Sequence, residues 1–383
     1  MVDKMLGNVL VLSLEGEINS ANAGEIEKEA NEKIAAHTFS KLVLDFTNIT
    51  YVSSAGLRVI LKLKQKFEDL AIIEASLVVY DVLSMTGFTD IMEIHKALNR
   101  VDVSKAEVVG SGFFSTVYRI DKDTIVKVFN RTSDPDQINR ELSLSKQAFI
   151  LGIPTAISYD MVRVDDKLGV RFEMLDCKSL KAAYQEKVEP YGELTKKYIQ
   201  LLKTINTTVS TDERIPSMLN QYRDKLEKVK ADIGKDAYAK IASLFNNMDD
   251  PRTFVHGDCH FKNIMVQGND LLLIDMDTLS YGSPLFEFSQ IYAPYVAFDE
   301  DDPGNSLRFF NLPSSFCVGL FMDLLKGYLG KEDVGEELKK IQVAAYLHMM
   351  WWTVMNTPEN KVRYNGNKKR LLALLPEVNS LNF

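Results

Sequence analysis

Short apolar runs alternate with amphipathic stretches through the first hundred residues. Val9–Leu14 reads as a strand ending at Gly16, and Ala23–Ala36 as a polar helix with Ile26, Ala30 and Ile34 on one face. Lys41–Phe46 is a near-continuous apolar run, the pattern of a strand buried on both sides. Leu57–Phe67 has helical spacing, Ser76–Tyr80 reads as a further strand and Phe88–Leu98 as a further helix. This β-α-β-α order predicts a small sheet flanked by helices. The rhythm changes near residue 100. After a short linker, 99–106, come the strand-like runs Val108–Val109, Thr116–Ile120 and Thr124–Phe129. A helix from Pro135 to Leu151 follows, ended by Gly152-Ile153-Pro154, and Val170–Met174 returns to strand. From Leu180 the pattern is helical, broken by Phe254–Val266 and Leu271–Asp277. The acidic run Asp299–Asp302 before Pro303-Gly304 reads as a solvated loop.

Composition narrows the class. The 383 residues are 46% hydrophobic and 26% charged, ordinary for a globular protein of two or three domains. The net charge of −8 is shared by both parts, since residues 1–100 hold 10 basic and 14 acidic side chains. A broad nucleic-acid surface is not expected. Cys177, Cys259 and Cys317 are far apart, which suggests neither a disulfide framework nor a CxxC metal site. MVDKMLGNVL does not read as a signal peptide, and no run approaches the length of a membrane span. A reducing, cytoplasmic setting is the simplest expectation.

In the first part the chemistry gathers in Leu42–Phe67. An apolar strand carries Asp45, and after a turn Ser53-Ser54-Ala55-Gly56-Leu57 opens a helix. One reading makes Ser53 or Ser54 an N-cap. The other makes the turn a phosphorylation site, where a phosphate would meet backbone N–H groups and the positive end of the helix dipole. The stretch resembles the STAS domain of anti-sigma-factor antagonists through Leu14-Glu15-Gly16-Glu17-Ile18, Asp45-Phe46-Thr47 and Ser54-Ala55-Gly56-Leu57. Asn19 and Ser53 stand where that family often has an acid. The resemblance covers residues 1–98 and implies that Ser54 is the phosphoacceptor and that a partner protein reads this surface.

The second part holds five separated pieces. Gly110-Ser111-Gly112-Phe113-Phe114-Ser115 lies between two strand-like runs and is either a hairpin turn or a loop whose N–H groups approach phosphates. Lys127 on the next strand faces solvent or points a cation at a nucleotide. Glu141 belongs to a solvated helix face or fixes Lys127. The strongest pieces are His256-Gly257-Asp258-Cys259-His260-Phe261-Lys262-Asn263 and Ile274-Asp275-Met276-Asp277. Packing does not explain an aspartate five residues before an asparagine with another aspartate 17 further on, because buried polar groups are costly without a task. His256 and His260 lie around a turn with no third soft ligand, which disfavours zinc. Asn263 and Asp275 are oxygen donors that suit Mg2+.

Together these pieces resemble the aminoglycoside phosphotransferase and choline kinase-like branch of the protein-kinase-like fold. The expected fold class is α/β plus α+β: a STAS-like sheet domain (1–98), the linker, and a bilobal kinase-like domain (107–383). Its N-lobe would span about 107–176, and its mainly helical C-lobe about 177–383. The resemblance implies in-line transfer of the γ-phosphate of ATP to a hydroxyl. Asp258 would take the acceptor proton, and Asn263 and Asp275 would hold Mg2+. Lys127, fixed by Glu141, would bind the α/β-phosphates alongside Gly110, Ser111, Gly112 and Ser115. His260 would share the work at the transferred phosphate. Phe172-Glu173-Met174-Leu175 looks like the hinge whose Glu173 and Leu175 backbone pairs with adenine. His256 reads as structural and Cys259 as packing, while Asp277 serves either metal or structure. No activation segment of the peptide-kinase type is present, so the acceptor is expected to be a small hydroxyl compound. Glu287, Asp299–Asp302, Tyr346, Trp351 and Trp352 would receive a cationic or sugar-like one, unless that aromatic helix simply faces the core. Two other functions stay open: a serine kinase acting on Ser54, and a nucleotide-controlled interaction switch without catalysis.

Overall fold

The computed structural model describes residues 1–112, 115–130 and 135–383. Phe113 and Phe114 of the glycine-rich segment lie outside them. The chain divides into two compact units, Met1–Asp102 with Val162–Asp166, and Val103–Met161 with Lys167–Phe383. Among the described residues no helix is long and apolar enough to cross a membrane.

The first unit is built on a five-stranded sheet in the order Val2–Leu6, Val9–Ile18, Lys41–Val52, Leu70–Ala75, Glu93–Lys96. The first pair is antiparallel and the others are parallel. Leu10, Leu12, Leu42, Leu44 and Ile72 are essentially inaccessible, as the apolar runs predict for central strands. Ser53 is the N-cap of the helix Ser54–Lys66 and accepts from the N–H groups of Ala55 (3.2 Å) and Gly56 (3.3 Å). Ser54 is the first helical residue and is exposed. Gly56 lies so close to the Val9–Ile18 strand that a Cβ there would stand 2.7 Å from Ile18 Cγ2 and 2.8 Å from the Ile18 carbonyl oxygen.

Two elements differ from expectation. Ser76–Tyr80 is not a strand: Ser76 caps the helix Leu77–Met85, and the strand is the preceding Leu70–Ala75. Both runs are apolar, and the β-branched Val78 and Val79 mimic a strand. In the fold, Val79 and Leu83, four residues apart, are the buried positions, which is helical spacing. Phe88–Leu98 is not a helix but one 3-10 turn, Phe88–Asp90, followed by the edge strand Glu93–Lys96. Pairing with Leu70–Ala75 supplies hydrogen bonds that local periodicity does not reveal.

In the second unit Lys167–Glu173, Thr124–Phe129, Ser115–Arg119 and Glu107–Ser111 form consecutive antiparallel neighbours. Residues 158–161, the part of the strand Ser158–Val164 that belongs to this unit, were unanticipated because polar residues interrupt the run. The helix Pro135–Ile150 lays Ile138 and Leu142 against Val170. The remainder is mainly helical around one large core, and the hairpin Ile264–Gln267 with Asp270–Leu273 sits within it. Asp299–Asp302 is not a solvated loop. Phe298–Asp301 is a helical turn bound to Lys361–Leu374, with Arg370 Nη1 2.8 Å from Asp301 Oδ2 and the Tyr346 hydroxyl 2.9 Å from Glu300 Oε1. Those partners lie 46 to 69 residues away in sequence, beyond any local pattern.

Candidate active site

The site is assembled from strand ends and tight turns. Thr124–Phe129 alternates inward and outward side chains, burying Val126 and Val128 and turning Lys127 to the other face. There Lys127 Nζ meets Glu141 Oε1 at 2.9 Å and Asp275 Oδ1 at 2.7 Å. Burial works against the Lys127 ammonium, yet the charges of Asp275 and Glu141 outweigh it and hold the pKa above the ordinary lysine value. Asp275 follows the Asp270–Leu273 strand with φ 66°, a left-handed conformation that costs a non-glycine residue roughly 1–2 kcal/mol. Such strain persists where surrounding structure enforces it, as at a functional turn.

The turn Val255–Asn263 presents the other carboxylate. Asn263 Nδ2 donates to Asp258 Oδ2 at 2.8 Å and to the Asp258 carbonyl at 3.1 Å. Ile274 N donates to the Asn263 carbonyl at 3.0 Å, which fastens this turn to the segment carrying Asp275. His256 makes a second link. Its Nδ1 accepts from Asp258 N at 3.2 Å and its Nε2 lies 3.2 Å from the Ile274 carbonyl, so the network assigns the proton to Nε2. Burial holds His256 down at about 4, which keeps it neutral. It is a structural histidine, and both nitrogens are already bonded. Asp258, Asn263 and Asp275 therefore share one locality.

Electrostatics there are dominated by crowded carboxylates. Burial, then the charge of Asp275, push Asp258 up to about 7, although 43% of its side chain still meets solvent. Burial and Asp275 also raise Asp277. Burial opposes the Asp275 charge as well, but Lys127 overrides it and keeps Asp275 ionised. His260 Nε2 is 3.5 Å from Asp258 Oδ1, and the ring stands edge-on to Phe309 and Phe310. Burial lowers His260 to about 4, so its ring is neutral.

Beside these groups opens a cavity of about 440 Å³. Gly110, Ser115, Lys127, Phe172, Leu175 and Asp275 are among its walls, and Glu173 also borders it. Ser111 and Gly112 do not line it. They complete a hairpin in which Ser111 pairs with Thr116 and Gly112 N donates to the Ser115 carbonyl at 2.9 Å. In the segment expected to be the hinge, Glu173 N donates to the Ile157 carbonyl and Met174 N to the Asp123 carbonyl.

Two expected acceptor groups are otherwise engaged. Glu287 is fully buried and accepts from His256 N at 2.6 Å and Gly257 N at 3.2 Å, so it holds the Asp258 turn and receives no ligand. Glu300 and Asp301 are bound as described above, Asp299 accepts from Ser306 N at 3.1 Å, Asp302 pairs with Arg308, and Tyr346 is buried against Tyr292 and Glu300. Trp352 packs edge-on to Phe298. Other supports of the turn gave no sequence signal. Tyr295 Oη accepts from Phe261 N at 2.9 Å, and the Tyr198 hydroxyl donates to the Cys259 carbonyl. Cys259 itself is buried packing.

The class of protein comes from comparison with known families: this is a phosphotransferase. Residues 105–310 match the phosphotransferase enzyme family, and the chain belongs to it. Residues 2–101 match the STAS domain, so a STAS module precedes the phosphotransferase domain. Over 97 residues the chain is 35% identical to BtrV of Bordetella bronchiseptica, named as an anti-sigma factor antagonist; the match covers 24% of this chain and 82% of that one. Among solved structures, a choline/ethanolamine kinase family protein from Mesorhizobium loti is similar at TM-score 0.48 and 14% identity. It covers 71% of this chain and 88% of that one. ADP-bound aminoglycoside phosphotransferase APH(2'')-Ib is similar at TM-score 0.48 and 14% identity, covering 71% and 95%.

Proposed function

We propose that the protein transfers the γ-phosphate of ATP to a hydroxyl of a small molecule, under the influence of its STAS module. The observation that supports this reading is a cavity walled by Lys127 and Asp275, with Glu141 bonded to Lys127 and the Asp258–Asn263 pair fastened through Ile274 to the segment that carries Asp275. Lys127 contacts the α/β-phosphates, and Glu141 holds it in place. Leu175 N–H and the Glu173 carbonyl pair with the base, since Glu173 N and Met174 N are bonded within the protein. Gly110, Ser111, Gly112 and Ser115 cover the phosphates. Asn263 turns its amide nitrogen to Asp258 and so keeps its oxygen for a cation, while Asp275 brings a carboxylate; this hard-oxygen set suits Mg2+. When bound there, Mg2+ supplies charge neutralisation at the phosphate oxygens.

Asp258 orients the acceptor hydroxyl. As that oxygen bonds to the γ-phosphorus, the bond to the bridging oxygen breaks, ADP leaves and the proton passes to Asp258. A carboxylate with pKa near 7 suits this transfer. His260 donates a neutral hydrogen bond nearby. The test is ADP release across a panel of hydroxyl metabolites and aminoglycosides. Turnover of one of them supports the reading, and an Asp258→Asn protein that keeps full turnover removes it.

Ser54 is proposed as the phosphoacceptor of the STAS module. Ser53 already caps the helix, which leaves Ser54 exposed in its first turn. A protein partner of that surface and control of its docking are part of the same proposal. Mass spectrometry after incubation with ATP separates self-phosphorylation from modification by another kinase. Phosphate on Ser54 of the wild type but not of Asp258→Asn supports self-phosphorylation, and none on either rejects it.

A further inference from the structure

A second cavity of about 280 Å³ lies in the helical part of the same unit, and its chemistry bears on the acceptor. Gly257 and Thr278 form part of its wall, next in sequence to Asp258 and Asp277. Thr278 Oγ1 donates to the His256 carbonyl at 2.7 Å, so this wall and the Asp258 turn are one piece of structure.

Lys225, only 6% exposed, lines the cavity. Its Nζ lies 3.0 Å from His348 Nδ1, 4.2 Å from the Tyr222 ring centre and 5.0 Å from that of Trp351. Among the described residues no carboxylate pairs with it. Burial alone moves it, down to about 7. Gln290 Nε2 also approaches His348 Nδ1, at 3.2 Å. With Nδ1 accepting, the His348 proton sits on Nε2, a further donor in this wall. Asp224 and Lys228, both exposed, add one charge of each sign at the rim. The buried part of the lining is thus a lysine with neutral polar groups beside an indole, and the one acid of the lining, Asp224, is exposed.

A buried ammonium without a counter-ion is costly, and ring faces compensate only part of that cost. The carboxylates that would have welcomed a cationic acceptor are engaged inside the protein, as Glu287 and Glu300 show. We infer that this cavity binds an anionic group of the acceptor, a carboxylate or phosphate, with Lys225 as its counter-charge and Trp351 beneath its carbon skeleton. The inference rests on the phosphotransfer reading of the neighbouring cleft and names its substrate class: small hydroxy-acids or phosphorylated alcohols rather than amines.

Trp351 and Trp352 are the two tryptophans of the chain, so Trp352→Phe leaves Trp351 as the sole reporter. In that background, fluorescence is titrated at constant ionic strength with inorganic phosphate, D-glycerate and glycerol 3-phosphate, against neutral glycerol and cationic choline. The anions should give saturable shifts that glycerol and choline do not. Lys225→Met should weaken them roughly tenfold to hundredfold, the range of a lost charged hydrogen bond. Its melting temperature should be unchanged or higher, because replacing a buried charge with a well-packed apolar chain is often neutral or stabilising. An equal response to choline, no response to any anion, or undiminished anion binding by Lys225→Met overturns the inference. The same charge series followed with the wild type, through both tryptophans, needs no variant to fold. ADP release separates the two claims. Anion binding without faster turnover of anionic alcohols than of glycerol refutes the acceptor assignment. Full turnover by Asp258→Asn refutes the phosphotransfer reading, whatever Trp351 reports.

Discussion

Single side chains carry the sharpest tests. Asp258→Asn should lower turnover by roughly 10²–10⁴, the usual worth of a general base, while nucleotide affinity stays within a few-fold. Paired kinetic and nucleotide-binding measurements check this. Glu287→Ala would strand the buried N–H groups of His256 and Gly257, at about 1–3 kcal/mol for each unsatisfied donor. Glu287→Gln keeps one acceptor oxygen and should recover much of that loss in a urea denaturation series. Lys225 adds a pH signature. Its folded pKa of about 7 lies below its ordinary 10.5, so the unfolded chain holds a proton that the folded chain releases. Stability should rise with pH between those values by up to about 1.4 kcal/mol per unit, and Lys225→Met should lack that contribution. Asp258, Asn263 and Asp275 were legible from type and spacing, because no packing pattern asks for those polar groups. Glu287 was legible as an acid but not as a brace. Its partners are backbone N–H groups 30 and 31 residues away, which no side-chain pattern encodes.

At the scale of elements, the turn before Ser54–Lys66 sets the capping Ser53 beside the exposed Ser54. Ser53→Ala should cost about 1 kcal/mol through the lost cap, whereas Ser54→Ala should leave stability nearly unchanged and remove the proposed phosphoacceptor. Gly56→Ala forces a methyl group against Ile18 backbone and side chain, and overpacking of that kind costs roughly 1–3 kcal/mol. Chemical denaturation of the three variants, with mass spectrometry for the second, tests the set. The Ser54–Lys66 helix was readable because its buried positions follow its own period. Leu77–Met85 and Glu93–Lys96 were not, because apolar runs of that length suit either state and the neighbouring strand decides.

For the whole molecule, each unit has its own buried core, so heating should give two unfolding transitions. ATP with Mg2+ at about 100 times its dissociation constant should raise one of them by the equivalent of roughly 2.7 kcal/mol and leave the other in place. Calorimetry with and without nucleotide reads this directly. A single shared transition would show that the units do not unfold independently.

The linear order of residues determined the two-part organisation, the strand and helix character of most runs, and the identity of the polar groups at the cleft. All of these are encoded in short-range periodicity or in residues too costly to bury idly. Only the tertiary structure decided which acids are available to a ligand and which are tied inside. It also placed Lys225 among neutral partners, with no carboxylate bonded to it among the described residues. A charge's role depends on what stands within a few ångströms of it, and here those neighbours come from tens to more than a hundred residues away.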